Sequence, residues 1–223
     1  MEARLTGIDR EETLRYLRYR GGTLPEEAEA EVQSCMAEIQ ATARPRAVWR
    51  IFPLGEDALA LGTDFRPEGQ DIRRMLSGCD RMILMAATLG AEVDALVRRS
   101  QVRQMGRAMI LDAAASAAIE NVCDNLCADL EQALRPEYLT DRFSPGYGDL
   151  PLRHQFELAE LLNLERRIGV TLTDSGLMLP QKSVTALLGV SPLPQPRRAT
   201  GCAGCRSRET CPYRKEGTSC GKI

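Results

Sequence analysis

The sequence has almost no net charge, a single histidine and no apolar run long enough to cross a bilayer. Its 29 lysines and arginines face 31 aspartates and glutamates, leaving a formal net charge of −2. Nucleic acid and anionic membrane surfaces call for an overall basic field, so both are disfavoured as partners. The longest apolar stretches, such as MILMAATLG at 82–90, fall well short of a membrane span. The acidic opening MEARLTGIDREE lacks the basic and apolar regions of a secretion signal, and a cytoplasmic protein is expected. The lone histidine, His154, stands at the start of an expected helix and reads as structural or solvated rather than catalytic.

What is present is enough chain, 223 residues, for one large domain or a domain with an appendage. The eight cysteines are unevenly placed: Cys35, Cys79, Cys123 and Cys127 are scattered through aliphatic sequence, while Cys202, Cys205, Cys211 and Cys220 crowd the end. A secreted disulfide framework would not leave half its cysteines inside helical sequence, so reduced thiols are expected.

Along the chain, DREETLRYLRYRGG reads as a helix from about Asp9, with Leu14 and Leu17 on one side and Gly21-Gly22 as its C-terminal cap. A second helix begins at Thr23 or Pro25 and places Ala28, Val32, Cys35, Met36 and Ile39 at three- and four-residue steps. RAVWRIFPL at 46–54 has the β-branched and aromatic content of a strand, and ALALGTDF follows as the second strand of a hairpin. EGQDIRRMLSGCDR is helical, with Ile72, Met75 and Leu76 inward, and RMILMAATLG suits a strand buried on both faces with Gly90 at its exit. Two helices come next, EVDALVRRSQ and a long alanine-rich one with a stripe of Leu111, Ala115, Ala118, Val122, Leu126 and Leu130. Cys123 and Cys127, four residues apart on that helix, read as packed thiols. A further helix spans 152–170, and VTLTDSGLMLPQKSVTALLGV makes two strands around Asp174-Ser175-Gly176. Helices interleaved with tightly turned strands point to an α+β fold, an antiparallel sheet flanked by helices.

SPLPQPRRATG is a stiff proline-rich linker over 192–200, leading to a tail, 201–223, of the form C-x2-C-x5-C-x8-C. The tail has almost no aliphatic residue, so apolar burial cannot offset its conformational entropy. Four thiolates at Cys202, Cys205, Cys211 and Cys220 can close a zinc site or hold an iron-sulfur cluster, with Arg206, Arg208, Arg214 and Lys215 balancing their charge. The asymmetric spacing and the Cys211-Pro212 step favour a [4Fe-4S] cluster, with zinc as the alternative.

The stretch RFSPGYGDLPL at 142–152 joins rigid turn residues to an arginine and a tyrosine. Arg142 offers a planar fork for a carboxylate or phosphate, Gly146 allows close backbone approach, and Pro145 restricts the loop in advance. Tyr147 could stack on a flat ring. A small anionic or zwitterionic ligand fits these residues, and so does an ordinary Pro-Gly turn beside a solvated arginine.

The same stretch, followed by GLMLPQKSVTALLGVSP, resembles the reactivation domain of cobalamin-dependent methionine synthase, with its Arg-x-x-x-Gly-Tyr loop and later Met-x-Pro-x-x-Ser-Val segment. MILMAATLGAEVD and ILDAAASAAIENV are similar to the shorter, stand-alone members of that family, and the likeness covers residues 45 to about 195. The resemblance implies a helix-flanked antiparallel sheet that binds S-adenosylmethionine and presents its methyl group to a cobalamin oxidised to the inactive Co(II) state. It implies that Arg142 meets the methionine carboxylate, that Ser144 and Gly146 give close backbone contacts, and that Tyr147 borders the cofactor. Pro180, Ser183 and Val184 would support the loop and line the cobalamin-facing cleft. Where the full-length enzyme has aromatic residues after the Ser-Val step, this chain has Leu187 and Leu188.

The expected organisation is a helical segment at 1–44, a reactivation domain at 45–191, the linker and the four-cysteine tail. Nothing resembles homocysteine, folate or cobalamin modules, so cobalamin would come with a separate corrinoid protein or split methionine synthase. The electron would come from a donor such as flavodoxin or ferredoxin, or through a cluster in the tail. Two alternatives are service to another corrinoid methyltransferase of anaerobic one-carbon metabolism and a non-catalytic adaptor with a structural zinc knuckle. Asp112 or Glu120 could recognise the cofactor's ammonium or ribose, or simply belong to a helix face.

Overall fold

The computed structural model describes residues 3–19 and 22–195; the linker from Pro196 on and the four tail cysteines lie outside the described residues. Asp9 caps the first helix, α1 (Arg10–Tyr16), by accepting the Glu12 N–H at 2.8 Å. The helix stops before the expected Gly21-Gly22 cap, because Arg18 turns left-handed at φ 56°. The second helix, α2 (Glu26–Thr42), starts after Pro25 and buries Val32, Cys35 and Ile39, the spacing of a single helical face.

β1 (Arg46–Pro53) forms where expected, but its hairpin partner at 58–65 does not. Asp57 and Ala58 take φ of 54° and 62° inside a tight turn at Glu56–Ala58, and only an isolated bridge joins Leu54 to Ala60. Left-handed residues cannot extend a strand. After α3 (Gln70–Leu76), β1 pairs instead with β2 (Arg81–Thr88), whose residues from Met82 onward are all buried.

Next come α4 (Ala91–Arg103), the long α5 (Met105–Ala133) and the short β3 (Tyr138–Leu139). The helix expected over 152–170 is two, α6 (His154–Leu162) and α7 (Leu164–Ile168), because Asn163 between them is left-handed at φ 51°. The strands around Asp174-Ser175-Gly176 are only two residues each, β4 (Thr171–Leu172) and β5 (Met178–Leu179), paired as a separate ribbon. The chain then crosses into the main sheet as β6 (Ser183–Ser191).

The main sheet has the order β1-β2-β6-β3 and is antiparallel throughout, flanked by helices on both faces. This is the α+β architecture expected. Ile83, Met85, Ala186 and Leu188 point into one core with α2, α4 and α5, where Ala114, Ala115 and Ala118 let the long helix lie close. Met82, Leu84, Ala86 and Leu187 point into a second core built by α3, α6, α7 and the loops between them. Cys35 sits in the first core, and α2 is thereby packed on the same body as α5.

Candidate functional site

The 142–152 loop is pinned at both ends. Phe143 exchanges backbone hydrogen bonds with Leu187 at 2.9 and 2.8 Å, and its ring is 2% exposed. Leu150 is buried in the same core. Between them the loop closes on itself: Tyr147 N–H donates to the Ser144 carbonyl at 3.1 Å, and Gly146 N–H donates to the Leu150 carbonyl at 2.9 Å. Gly148 has φ 57°, and a β-carbon there would lie 2.7 Å from Asp71 Oδ2 and 3.0 Å from Phe143 Cζ. Asp149 accepts the N–H groups of Gln70 at 2.6 Å and Asp71 at 3.1 Å, tying the loop to the start of α3.

His154 ties the start of α6 to the segment that precedes α3. It is buried, its Nε2 accepts the Glu68 N–H at 3.1 Å, its Nδ1 therefore donates to Glu157, and its ring meets Phe65 edge-on at 5.6 Å.

Beside the loop lies a cavity of about 380 Å³, within the size range of small-molecule sites. Arg142, Ser144 and Tyr147 line it from the loop, and Ser183, Val184 and Thr185 line it from the start of β6. The two stretches singled out in the sequence thus meet around one space. Gly146 and Pro180 stand behind the wall. Gly146 has φ 87°, and Pro180 presents its carbonyl 2.8 Å from Ser183 Oγ, which also lies 2.8 Å from Thr88 Oγ1. Tyr147 is 68% exposed at the mouth.

Phe143 and Pro145 of the loop, Glu120 of α5, Gln155 of α6 and Met178 of β5 complete the lining. Glu120 enters the cavity, whereas Asp112 turns away to pair with Lys182 at 2.8 Å. Gln155 is fixed by donating to the Gly176 carbonyl at 2.8 Å.

Arg142 is already engaged. Its Nη2 donates to Glu120 Oε2 at 2.7 Å and its Nη1 to Asp124 Oδ1 at 2.8 Å, and Nη1 lies 3.9 Å from Cys127 Sγ. Burial opposes the guanidinium charge, but the surrounding thiols and carboxylates hold it firmly protonated. A guanidinium has five N–H donors, so two carboxylates do not exhaust it. The spacing of Glu120, Asp124 and Cys127 on one helical face was readable in the sequence; that Arg142 would cross to it was not. Burial pushes the Cys123 thiol up to about 12 and raises Cys127 too, with Arg142 pulling both back in part. They are packed, protonated thiols, and among the described residues no cluster of histidine, cysteine or carboxylate side chains is placed to hold a metal.

Residues 107–195 match the family model described as vitamin B12 dependent methionine synthase, activation domain. The chain resembles that activation domain. The matched segment runs from α5 through the loop to the end of β6 and contains every residue lining the cavity. In fold, the chain is similar to the crystal structure of the MetH reactivation domain bound to AdoHcy, with a TM-score of 0.66 and 18% identity over 96% of this chain and 83% of that one. No curated protein matches the chain.

Proposed function

We propose that the chain binds S-adenosylmethionine in the cavity beside the 142–147 loop and delivers its methyl group to the reduced cobalt of a corrinoid carried by a separate protein, for which a split methionine synthase is the expected host. One observation carries the reading: within the activation-domain match, the Arg142–Tyr147 loop and the Ser183–Thr185 segment converge on one cavity.

The residues present suit a zwitterionic cofactor. Arg142 and Glu120 set opposite charges side by side on the wall, the first for a carboxylate and the second for an ammonium. Ser144 brings backbone close to the ligand, Gly146 lets the loop turn behind it, and Tyr147 borders it at the mouth. The bound cofactor supplies an electrophilic methyl on a sulfonium. The protein's task is to hold that group in line at an open mouth, which is positioning rather than proton transfer. This suits a wall whose only charged groups among the described residues are one arginine and one glutamate. A flavodoxin or ferredoxin would supply the electron that keeps the cobalt reduced.

The four tail cysteines, Cys202, Cys205, Cys211 and Cys220, are proposed to hold a [4Fe-4S] cluster that relays electrons to the corrinoid, with zinc as the alternative. Metal analysis of anaerobically purified protein decides this. Iron and sulfide in cluster stoichiometry support the relay, and zinc without iron replaces it with a structural knuckle.

The test of cofactor binding is calorimetric titration with S-adenosylmethionine of wild type and of Arg142→Ala. Losing a charge-assisted pair weakens binding by roughly thirtyfold. Because the substitution also unpairs Glu120 and Asp124, Arg142→Lys and a thermal melt of each variant accompany it, and only folded variants are compared. No binding by folded wild-type protein would overturn the reading and bring the adaptor alternative forward.

A further inference from the structure

We infer that Thr185 is a ligand-positioning residue of the cavity, its hydroxyl reserved for a polar group of the bound cofactor. The inference rests on the S-adenosylmethionine reading given above. Thr185 lies on β6 opposite Ala86 of β2, in the middle of a sheet whose other residues at this level are aliphatic. Its side chain is 2% exposed and forms part of the cavity wall.

Its Oγ1 is buried and has no hydrogen-bond partner among the described residues. The neighbouring buried polar groups behave differently. Thr88 accepts the Gly90 N–H at 3.1 Å, Ser183 bonds within its own corner, Gln155 donates to Gly176, and Ser191 donates to the Gly78 carbonyl at 3.0 Å.

A buried hydroxyl without a partner is destabilising, and valine would fill the same volume without that cost. Packing alone therefore does not account for threonine at this position. A hydroxyl that both donates and accepts adds a neutral contact beside the charged Arg142 and Glu120, and unlike the Ser183 hydroxyl and the Gln155 amide on the same wall it is not already taken up by the protein. A nucleoside cofactor with a zwitterionic tail presents neutral and charged polar groups together. The hydroxyl is thus unsatisfied in the protein alone and satisfied by the ligand, so its interaction is made only in the complex.

The experiment compares wild type, Thr185→Val and Thr185→Ser, using thermal melts without ligand and calorimetry with S-adenosylhomocysteine as the stable probe. Thr185→Val is expected to melt no lower than wild type and to bind the probe about tenfold more weakly. Thr185→Ser, which keeps the hydroxyl, is expected to bind like wild type. Undiminished binding by Thr185→Val would overturn the inference and leave the cofactor reading standing. A lower melting temperature for ligand-free Thr185→Val would also overturn it, by making the hydroxyl structural. Equal loss in Thr185→Ser would assign the effect to the methyl group and overturn it as well. Failure of wild type to bind the probe would remove both the inference and the reading beneath it.

Discussion

The two faces of the sheet are covered in different ways. One carries long helices, with α2 and the alanine-rich α5 packed on Ile83, Met85, Ala186 and Leu188, and its buried surface is almost wholly apolar. The other carries short helices and loops, and there His154, Gln155 and Thr185 are buried beside aliphatic residues. The cavity lies where the loop-covered side meets the edge of α5. Long helices give a stiff backing to which Glu120 and Asp124 are fixed. Loops give the other wall its shape and its polar groups, and a cofactor site on a rigid scaffold needs both.

The sharpest way to break this contrast is to remove an anchor from each side. Phe143→Ala should cost about 4 kcal/mol, since a buried aromatic ring is lost from under the loop. Cofactor affinity should fall as well, because the Phe143 ring packs under Gly148 of the loop and lines the cavity. Leu111→Ala, at a fully buried position on the inner face of α5, should cost about 3 kcal/mol in a denaturant melt. Here the affinity of the folded protein should be unchanged. Equal effects of the two on affinity would show that the faces are not mechanically distinct.

A smaller perturbation sharpens the loop side alone. Gly148→Ala places a β-carbon 2.7 Å from Asp71 Oδ2 in a left-handed backbone, so it should cost about 1–2 kcal/mol and loosen the loop. Weaker binding of S-adenosylmethionine at a temperature where the variant remains folded is the expected readout. An unaltered affinity would mean that the loop's conformation is not needed by the ligand.

The two faces also differ in how much of them could be read from the sequence. β2 was legible because eight residues without an interior charge must be covered on both sides, and the stripe of α5 was legible because its apolar positions repeat at helical steps. The loop face was less so. The turn at Asp57 and Ala58 and the break at Asn163 depend on left-handed backbone at residues other than glycine, which periodicity does not register. Within the candidate site, the turn residues and Arg142 left a ligand loop and an ordinary turn both open, and it was the family resemblance that singled out the loop and the Ser183-Val184 step. The Glu120 and Asp124 clamp on Arg142 spans 22 and 18 residues of chain and exists only once α5 and the loop are packed. The unpartnered hydroxyl of Thr185 is likewise a property of its three-dimensional surroundings.

The subtlest difference is expected at high pH. Burial raises Cys35 to about 11 and Cys123 to about 12, from an ordinary thiol value near 9.0. In the folded protein these thiols stay protonated where the unfolded chain would ionise them. Their contribution is therefore complete below about pH 9 and is lost as pH rises toward the folded values. Near pH 10 the loss should be about 1 kcal/mol for Cys123, which lies in the apolar core behind α5. Melts of wild type and Cys123→Ala across pH 7–11 isolate it: the variant starts lower by the cost of its small cavity, and the two curves should converge as pH rises. Parallel curves would mean that the thiol is hydrated in the folded state, and that the helix-covered face is less dry than its side chains imply.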